Sequence, residues 1–140
     1  MSASRVLVAV AARSLSDIGE QVTLAQYRTL IVLASRGPQR PAHLAEALAV
    51  APSTATRMCD RLVRRRWVRR QRSPRDRRTV RITLTPEGRD LVDVVSRRRR
   101  QELHGLLARM SADQRAQLLT ALQALSEVAG ERPDQEWAPA

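Results

Sequence analysis

Hydrophobic positions recur with a helical period along most of this 140-residue chain. Near the N-terminus, Val6, Leu7 and Val10 share one face of a predicted first helix over about residues 4–16. Apolar side chains spaced three and four positions apart give a helix one face that is stable only when buried. The N-terminal segment is therefore predicted to pack against other helices.

A second amphipathic helix is predicted to begin after Thr23 and to end at Gly37. Thr23 and Gln26 have the spacing of a capping box, in which each side chain accepts a hydrogen bond from the backbone N–H of the other residue. The Gly–Pro pair after the helix ends it, because proline cannot continue a helix. The apolar face of this helix consists of Leu30, Ile31, Leu33 and Ala34.

Two short helices are predicted next, separated by a tight turn at residues 49–51. The first covers about residues 42–48, and in the second Pro52 stands at the first helical position, where the missing N–H breaks no helical bond. The inward positions of this pair are Leu44, Ala45, Leu48, Ala55, Met58, Cys59, Leu62 and Val63. The opposite face of the second helix carries Ser53, Arg57, Asp60, Arg61 and Arg64.

The hydrophobic pattern then changes from a helical period to strict alternation. Val80, Ile82 and Leu84 alternate with polar residues as in a half-buried strand, and residues 67–72 are the predicted partner strand. An arginine-rich turn with Ser and Pro, at residues 73–78, joins the two runs. The pattern predicts a two-stranded hairpin.

Two further helices complete the predicted order. A long helix is expected from Pro86 to about Arg109, and its two apolar patches are separated by the polar run Ser96–Glu102. The interruption predicts that this helix leaves one core and enters another. Ser111 and Gln114 form a second capping box, which begins the last helix. The apolar positions of that helix are Leu118, Leu119, Leu122, Leu125 and Val128.

Positive charge is concentrated in one segment. Residues 57–81 contain twelve arginines and two acids, and so carry +10 of the formal net charge of +11. Such a concentration indicates a polyphosphate partner. All 25 basic residues are arginine, whose guanidinium can bind a phosphate or a guanine edge through two parallel hydrogen bonds.

Helix, tight turn, helix and basic hairpin together predict a mainly α fold with a small β-wing, the winged helix-turn-helix. In such folds the second helix enters the major groove of DNA and its N-terminal residues contact base edges. The predicted major-groove residues are Ser53, Thr54, Thr56, Arg57 and Arg61. At the hairpin tip, arginines suit the narrow minor groove, and an acid there makes sense if it orients a neighbouring guanidinium. The tip residues are Arg75, Asp76, Arg77 and Arg78. The alternative is that both sets are solvated surface, capping and loop residues.

Other classes of function receive little support from the sequence. A single cysteine, Cys59, excludes an intrachain disulfide and indicates a reducing compartment, and its inward position favours a small buried hydrophobe over a redox switch. His43 and His104 are isolated, so we expect no metal site. We see no phosphate loop or nucleophile elbow, and expect neither a cofactor nor an enzyme. No apolar run approaches the roughly 20 residues of a membrane span, so we expect a cytoplasmic protein without a membrane partner.

The predicted helix-turn-helix and wing carry motifs of a known family. The stretches Leu44-Ala45, Pro52-Ser53-Thr54-Ala55-Thr56-Arg57, Asp60-Arg61-Leu62, Asp76-Arg77-Arg78 and Leu84-Thr85-Pro86-Glu87-Gly88 resemble the MarR family of bacterial transcription regulators. The resemblance covers about residues 23–130. It implies a symmetric dimer built by the terminal helices, pseudo-palindromic promoter DNA as the partner, and relief of repression by a small molecule or an oxidant. It also implies that Arg78 enters the minor groove and that Asp76 positions it.

The chain departs from the family pattern at four points. Ala51 stands where a Ser or Thr usually caps the recognition helix, which forgoes about 1 kcal/mol. Arg66 replaces the usual glycine at the end of that helix. The first helix is short, which bears on its share of the dimer interface, and it lacks the cysteine that redox-sensing members carry there.

We therefore predict a single MarR-like domain over residues 1–140. A winged helix-turn-helix lobe spans residues 23–85, a helical dimerisation lobe combines residues 1–22 with 86–130, and residues 131–140 form a flexible tail. The predicted dimer contacts are Val6, Val10, Leu106, Leu107, Leu118, Leu122 and Leu125.

The predicted function is that of a ligand-responsive repressor that binds double-stranded DNA as a homodimer. An anionic effector, such as a phenolic or aliphatic carboxylate, is expected in a cleft lined by the first, second and fifth helices and nearby arginines. The competing hypothesis is an architectural protein that uses its arginines only on phosphates. The polar residues at the start of the recognition helix favour the specific regulator. It also remains open whether any effector exists or regulation acts through protein abundance.

Overall fold

The computed structural model describes residues 2–16, 22–72 and 79–130. Within these ranges the elements are α1 (Ser2–Ser16), α2 (Leu24–Arg36), α3 (Pro41–Leu48), α4 (Pro52–Arg64), β1 (Val68–Arg72), β2 (Val80–Leu84), α5 (Pro86–Leu107) and α6 (Ala112–Val128). The predicted order of elements and the mainly α class with a two-stranded wing are confirmed. Helix α1 begins two residues earlier than predicted, and α5 ends two residues earlier. The predicted tail, residues 131–140, lies outside the described residues.

Side-chain caps set the starts of three helices. The hydroxyl of Thr23 accepts a 3.2 Å hydrogen bond from the backbone N–H of Gln26, whose side chain accepts a 2.9 Å bond from the N–H of Thr23. Ser111 and Gln114 form the same pair of bonds at α6. Both predicted capping boxes are therefore confirmed. At α5, the hydroxyl of Thr85 accepts from the N–H of Gly88 at 3.1 Å.

The hydrophobic core lies between α2, α3, α4, the wing and α5. Five of these elements each contribute a side chain with 0% exposure: Leu30, Leu44, Leu62, Ile82 and Val92. Burial of apolar surface stabilises such contacts by about 25 cal/mol per Å², so this shared core holds the helix-turn-helix against the wing and α5. The predicted inward residues of α3 and α4 are buried or partly buried, as expected.

The wing is an antiparallel pair of strands. Val68 pairs with Leu84 and Arg70 with Ile82, so the predicted hairpin is confirmed in its strands. A segment that the sequence did not predict to join it adds a bridge to the middle of β2. The N–H of Gln39 donates to the carbonyl of Ile82 at 3.0 Å, and the N–H of Ile82 donates to the carbonyl of Gln39 at 2.7 Å. The loop between α2 and α3 is thereby attached to the middle of β2.

The two terminal helices differ in how far this chain buries them. Helix α1 packs on α5 and α2, and Val10 is only 2% exposed. Val10 is thus covered by its own chain, and its predicted contact with a second protomer stays a prediction. Val6 remains 48% exposed. Helix α6 has no buried residue within the single chain. The larger apolar side chains that α6 exposes are Leu119, Leu122, Leu125 and Val128.

Candidate nucleic-acid interface

The candidate interface begins at helix α4. The helix buries Ala55, Cys59 and Leu62 against the core, so the opposite face is directed to solvent. Its first turn has no side-chain cap, because Ala51 at the N-cap position offers no acceptor. The carbonyl of Ala51 nevertheless accepts from the N–H of Thr54 at 2.9 Å, so the helix begins at Pro52 as predicted.

The predicted major-groove residues lie on the solvent-directed side of α4. Ser53, Thr56, Arg57 and Arg61 are exposed, and Thr54 is half-buried. A guanidinium N–H of Arg57 donates to the hydroxyl of Thr54 at 3.4 Å. The hydroxyl of Thr56 donates to the carbonyl of Pro52 at 3.0 Å, which leaves its lone pairs as acceptors. The structure thus brings these five residues together on one surface of hydrogen-bond donors and acceptors.

An ion pair connects this helix to the wing. Asp60 on α4 accepts a hydrogen bond from a guanidinium N–H of Arg70 on β1. Sequence reasoning placed Asp60 on the exposed face but missed its partner. The available signal was a lone acid on a face of arginines. Choosing the partner among the neighbouring arginines requires knowing how β1 lies against α4.

The strands of the wing add positive charge beside α4. Arg69, Arg70 and Arg72 on β1 are exposed, and Arg81 on β2 is half-buried. The predicted minor-groove residues Arg75, Asp76, Arg77 and Arg78 lie outside the described residues. The described part of the interface is therefore the exposed face of α4 together with the base of the wing.

The turn after α4 holds the interface against α5. Arg66 adopts φ +60°, the left-handed conformation that favours glycine, and its carbonyl accepts from the hydroxyl of Thr85 at 2.7 Å. The N–H of Thr85 donates to the carbonyl of Trp67 at 3.0 Å. A Cβ on Gly88 would lie 2.0 Å from that same carbonyl oxygen, so only glycine fits there. The Arg65 guanidinium lies over the Trp67 ring at 5.6 Å from its centroid.

Cys59 is buried within the interface helix, with 1% exposure. Burial raises the pKa of its thiol, because the thiolate would lose its hydration. The nearby guanidinium of Arg70 lowers the pKa by a smaller amount. A thiol held protonated in this way has the character predicted for it, that of a small hydrophobic side chain.

The described part of the chain contains neither a metal-ligand cluster nor a helix suited to a membrane. No group of three or more His, Cys, Asp or Glu side chains within residues 2–16, 22–72 and 79–130 is arranged to hold a metal ion. In the same ranges, no helix has both the length and the apolar character required to cross a bilayer.

A cleft of about 360 Å³ lies at the junction predicted for an effector. Helices α1, α2 and α5 line it as expected, and α3 adds Ala47, which was not expected. Three arginines line the cleft: Arg28, Arg36 and Arg99.

The polar run of α5 faces this cleft and α1. Ser96 and Tyr27 share a 3.2 Å hydrogen bond, and the Arg99 guanidinium lies 5.2 Å from the centroid of the Tyr27 ring. Glu102 accepts from Arg13 of α1 at 3.0 Å. Arg98 and Arg99 in this run are half-buried, because they pack at the junction of the helices.

Comparisons with known proteins agree with this architecture. The family model described as MarR family matches residues 22–80. The multiple antibiotic resistance protein MarR of Salmonella typhimurium is 34% identical over 98 residues, which are 69% of this chain and 68% of that protein. The crystal structure of RV1404 from Mycobacterium tuberculosis superimposes with a TM-score of 0.89 at 40% identity, covering 94% of this chain and 90% of that one.

A third structure, a mutant of Staphylococcus aureus MepR bound to an oligodeoxyribonucleotide, has a TM-score of 0.69 at 21% identity. It covers 91% of this chain and 93% of its own, and at that identity it supports the fold alone. The proteins of the matching family are transcription regulators and not enzymes. The chain therefore belongs to the MarR family and is a DNA-binding regulator of transcription.

Proposed function

We propose that this regulator is a repressor that binds a pseudo-palindromic operator as a homodimer and is released by an anionic small molecule. The observation that carries the DNA-binding part is the solvent-directed face of α4, where polar and arginine side chains converge beside the basic strands of the wing. Repression is the direction of control that the family resemblance implies. Such a regulator acts where bacterial promoters are, in the cytoplasm.

Sequence specificity rests on the N-terminal half of α4. Arg57 is exposed and has the geometry to form two hydrogen bonds to the O6 and N7 atoms of a guanine. Ser53, Thr54 and Thr56 offer hydroxyls to neighbouring bases or phosphates. A protein that only neutralised phosphates would not need hydroxyl side chains here.

The wing tip supplies the second reading element. We propose that Arg78 enters the minor groove, positioned by Asp76, with Arg75 and Arg77 contacting the flanking phosphates. Replacing Arg78 by alanine is expected to reduce discrimination at A·T-rich flanks, where the minor groove is narrow. A uniform loss of affinity on all duplexes would reduce Arg78 to a phosphate contact.

Dimerisation is proposed to bury the apolar face of α6. Leu118, Leu122 and Leu125 share that face, and we assign Leu106 and Leu107, near the end of α5, to the same proposed interface. An exposed apolar surface of this extent indicates a protein partner. Val6 on α1 joins the proposed interface, and the contact of Val10 stays a prediction. We retain the division into a DNA-binding lobe, residues 23–85, and a dimerisation lobe, residues 1–22 with 86–130.

Operator binding is tested by selecting duplexes from a random pool with the purified protein and then measuring competition. We expect inverted half-sites about one helical turn apart. The logarithm of the binding constant should fall with the logarithm of the salt concentration, with a slope of roughly −0.9 for each phosphate neutralised. A selected palindrome should compete far better than a random duplex of equal length. Equal competition would support the architectural alternative.

The proposed effector site is the cleft lined by Arg28, Arg36 and Arg99. Arg99 Nε is buried without a hydrogen-bond partner among the described residues, and the guanidinium faces the Tyr27 ring. A carboxylate beside these arginines would be favoured by charge, and an apolar body would contact Leu24 and Ile31. Such a ligand changes DNA affinity only if it binds the two conformations of the regulator unequally.

The effector proposal is tested by titrating phenolic and aliphatic carboxylates against the protein–operator complex. We expect release of operator, no release by the neutral amide of the same acid, and a weaker response in Arg99→Gln. Operator affinity without ligand should be unchanged in that variant, since Arg99 lies outside the DNA interface. If the protein still bound its operator at millimolar concentrations of these carboxylates, regulation by protein abundance would be favoured instead.

A further inference from the structure

Asp60 is an acid on a surface otherwise suited to phosphate. Among the 25 residues from Arg57 to Arg81 it is one of two acids, and the other, Asp76, is at the wing tip. A carboxylate at this position repels the DNA backbone and so reduces the electrostatic attraction that the neighbouring arginines provide. If this surface binds DNA, the carboxylate requires a compensating role.

The geometry indicates what that role is. Arg57 and Arg64 stand three residues before and four residues after Asp60, the spacings at which a helix forms ion pairs along its own surface. Asp60 instead pairs with Arg70, which belongs to β1. The pair therefore connects two elements that both face the proposed DNA.

Arg70 occupies a defined place on the wing. Strand residues two apart share a face, so Arg70 lies on the same face of β1 as Val68, which is 2% exposed. Its register partner on β2 is Ile82, which is fully buried. Arg70 is thus on the core-facing side of the hairpin, at the point where that side becomes exposed to solvent. The ion pair with Asp60 holds the Arg70 side chain at this edge of the core.

We infer that Asp60 is a positioning residue, whose ion pair with Arg70 fixes the angle between the wing and the recognition helix so that both can engage one operator half-site. This inference rests on the proposed sequence-specific binding of DNA. Asp60 itself contacts no base in this arrangement. It acts through Arg70 by restricting the orientation of the wing before DNA binds. The entropy cost of ordering the wing on binding is then smaller.

The positioning role of Asp60 can be tested separately from its contribution to folding. The two side chains are 39% and 47% exposed, and ion pairs exposed to this degree contribute little to stability. Variants of either residue are therefore expected to fold. Loss of a negative charge should by itself strengthen binding to any duplex, whereas loss of positioning should weaken binding to the operator alone. The two explanations predict changes of opposite sign.

The experiment measures dissociation constants for the selected operator and for a random duplex, each over a series of salt concentrations. The variants are Asp60→Asn, Arg70→Ala, their combination, and Asp60→Glu as the conservative replacement. Glu46→Gln is the matched control: Glu46 is exposed on α3, and it forms no ion pair with another described residue. Circular dichroism during thermal unfolding verifies that each variant is folded.

For Asp60→Asn we expect operator affinity to fall by about fivefold to tenfold, the effect of a coupling energy within the usual range for residues in contact. Affinity for the random duplex should stay equal or rise. Arg70→Ala should lower the ratio of operator to random affinity by a similar factor, and the double variant should have no larger effect on that ratio. Asp60→Glu should restore most of the discrimination, and Glu46→Gln should not alter the ratio.

The inference would be overturned if Asp60→Asn raised the affinity for both duplexes equally. It would also be overturned if the two substitutions changed the ratio of operator to random affinity independently of each other. The proposed function can fail separately. A wild-type protein that does not distinguish operator from random DNA would overturn sequence-specific binding itself. A wild-type protein that does distinguish them, with an unchanged ratio in Asp60→Asn, would overturn only the positioning role.

Discussion

Arg57 is exposed to solvent yet restrained by a neighbour. Its guanidinium donates to the hydroxyl of Thr54, one helical turn earlier, at 3.4 Å. A bond of this length is weak, but it reduces the range of rotamers from which the side chain approaches DNA. The planar guanidinium can then present two parallel N–H groups to one base edge.

We expect Arg57→Ala to weaken operator binding by about 1–3 kcal/mol and to relax preference at one base pair in each half-site. The measurement is a set of dissociation constants on operators substituted at each position. Arg115→Ala, on the exposed surface of α6 and outside the DNA-binding lobe, is the control and should have no effect. A uniform loss on every sequence would mean that Arg57 contacts only phosphate.

Cys59 gives a prediction about pH. Its pKa is raised above 9.0 in the folded chain by burial, so the folded state retains the proton longer than the unfolded state as pH increases. The contribution of this thiol to stability should be complete below about pH 9 and should decline above it. Comparing the free energies of unfolding of wild type and Cys59→Ala from pH 7 to 10 measures this. A difference independent of pH would contradict it.

At the scale of elements, the start of α4 lacks a stabilising contact. Ala51 has φ −62° and ψ 145°, the extended conformation in which a serine would accept from an N–H of the first turn. We expect Ala51→Ser to raise the free energy of unfolding by roughly 0.5–2 kcal/mol. Denaturant titration measures the change, and Ala51→Gly, which restores no side-chain acceptor, serves as the comparison. Equal stability of the serine variant and wild type would contradict it.

The sequence predicted these elements because their signals are local. Thr23 with Gln26, Pro52, and the alternation of Val80, Ile82 and Leu84 each determine structure within a few residues. Contacts between elements were missed, among them the bridge from Gln39 to Ile82 and the pair of Asp60 with Arg70. Which of several arginines meets an acid depends on the packing of whole elements, and the pattern of one chain does not contain that information.

For the whole molecule, α6 gives the clearest prediction. Leu122 is 37% exposed in the single chain and lies on the proposed dimer face. We expect Leu122→Glu to shift the protein to monomers at micromolar concentration and to abolish binding to paired half-sites. Sedimentation velocity and operator binding measure the two effects. Gln123→Glu, which places the same charge on another face of α6, should leave the dimer intact, and a stable Leu122→Glu dimer would place the interface elsewhere.

At this scale the sequence also predicted the location of the cleft but not its composition. The interruption Ser96–Glu102 in the apolar pattern of α5 indicated a junction. The stacking of Arg99 on Tyr27 and the inclusion of Ala47 depend on how α2, α3 and α5 pack against one another. The burial of Val10 within its own chain was not predicted for a related reason, since an apolar position on a helix does not reveal whether its own chain or a second one covers it.

The turn after α4 and the start of α5 form a joint, in which Thr85 hydrogen-bonds to the carbonyls of Arg66 and Trp67 and a side chain at Gly88 would collide with Trp67. Helix α5 extends from this joint for 22 residues, or roughly 33 Å at 1.5 Å per residue. In the proposed dimer α5 would act as a lever: a rotation of roughly 5° about its far end would displace the recognition helix by roughly 3 Å. That displacement is about the 3.4 Å rise of one base pair, so a tilt of this size would be enough to take a recognition helix out of register with its proposed half-site.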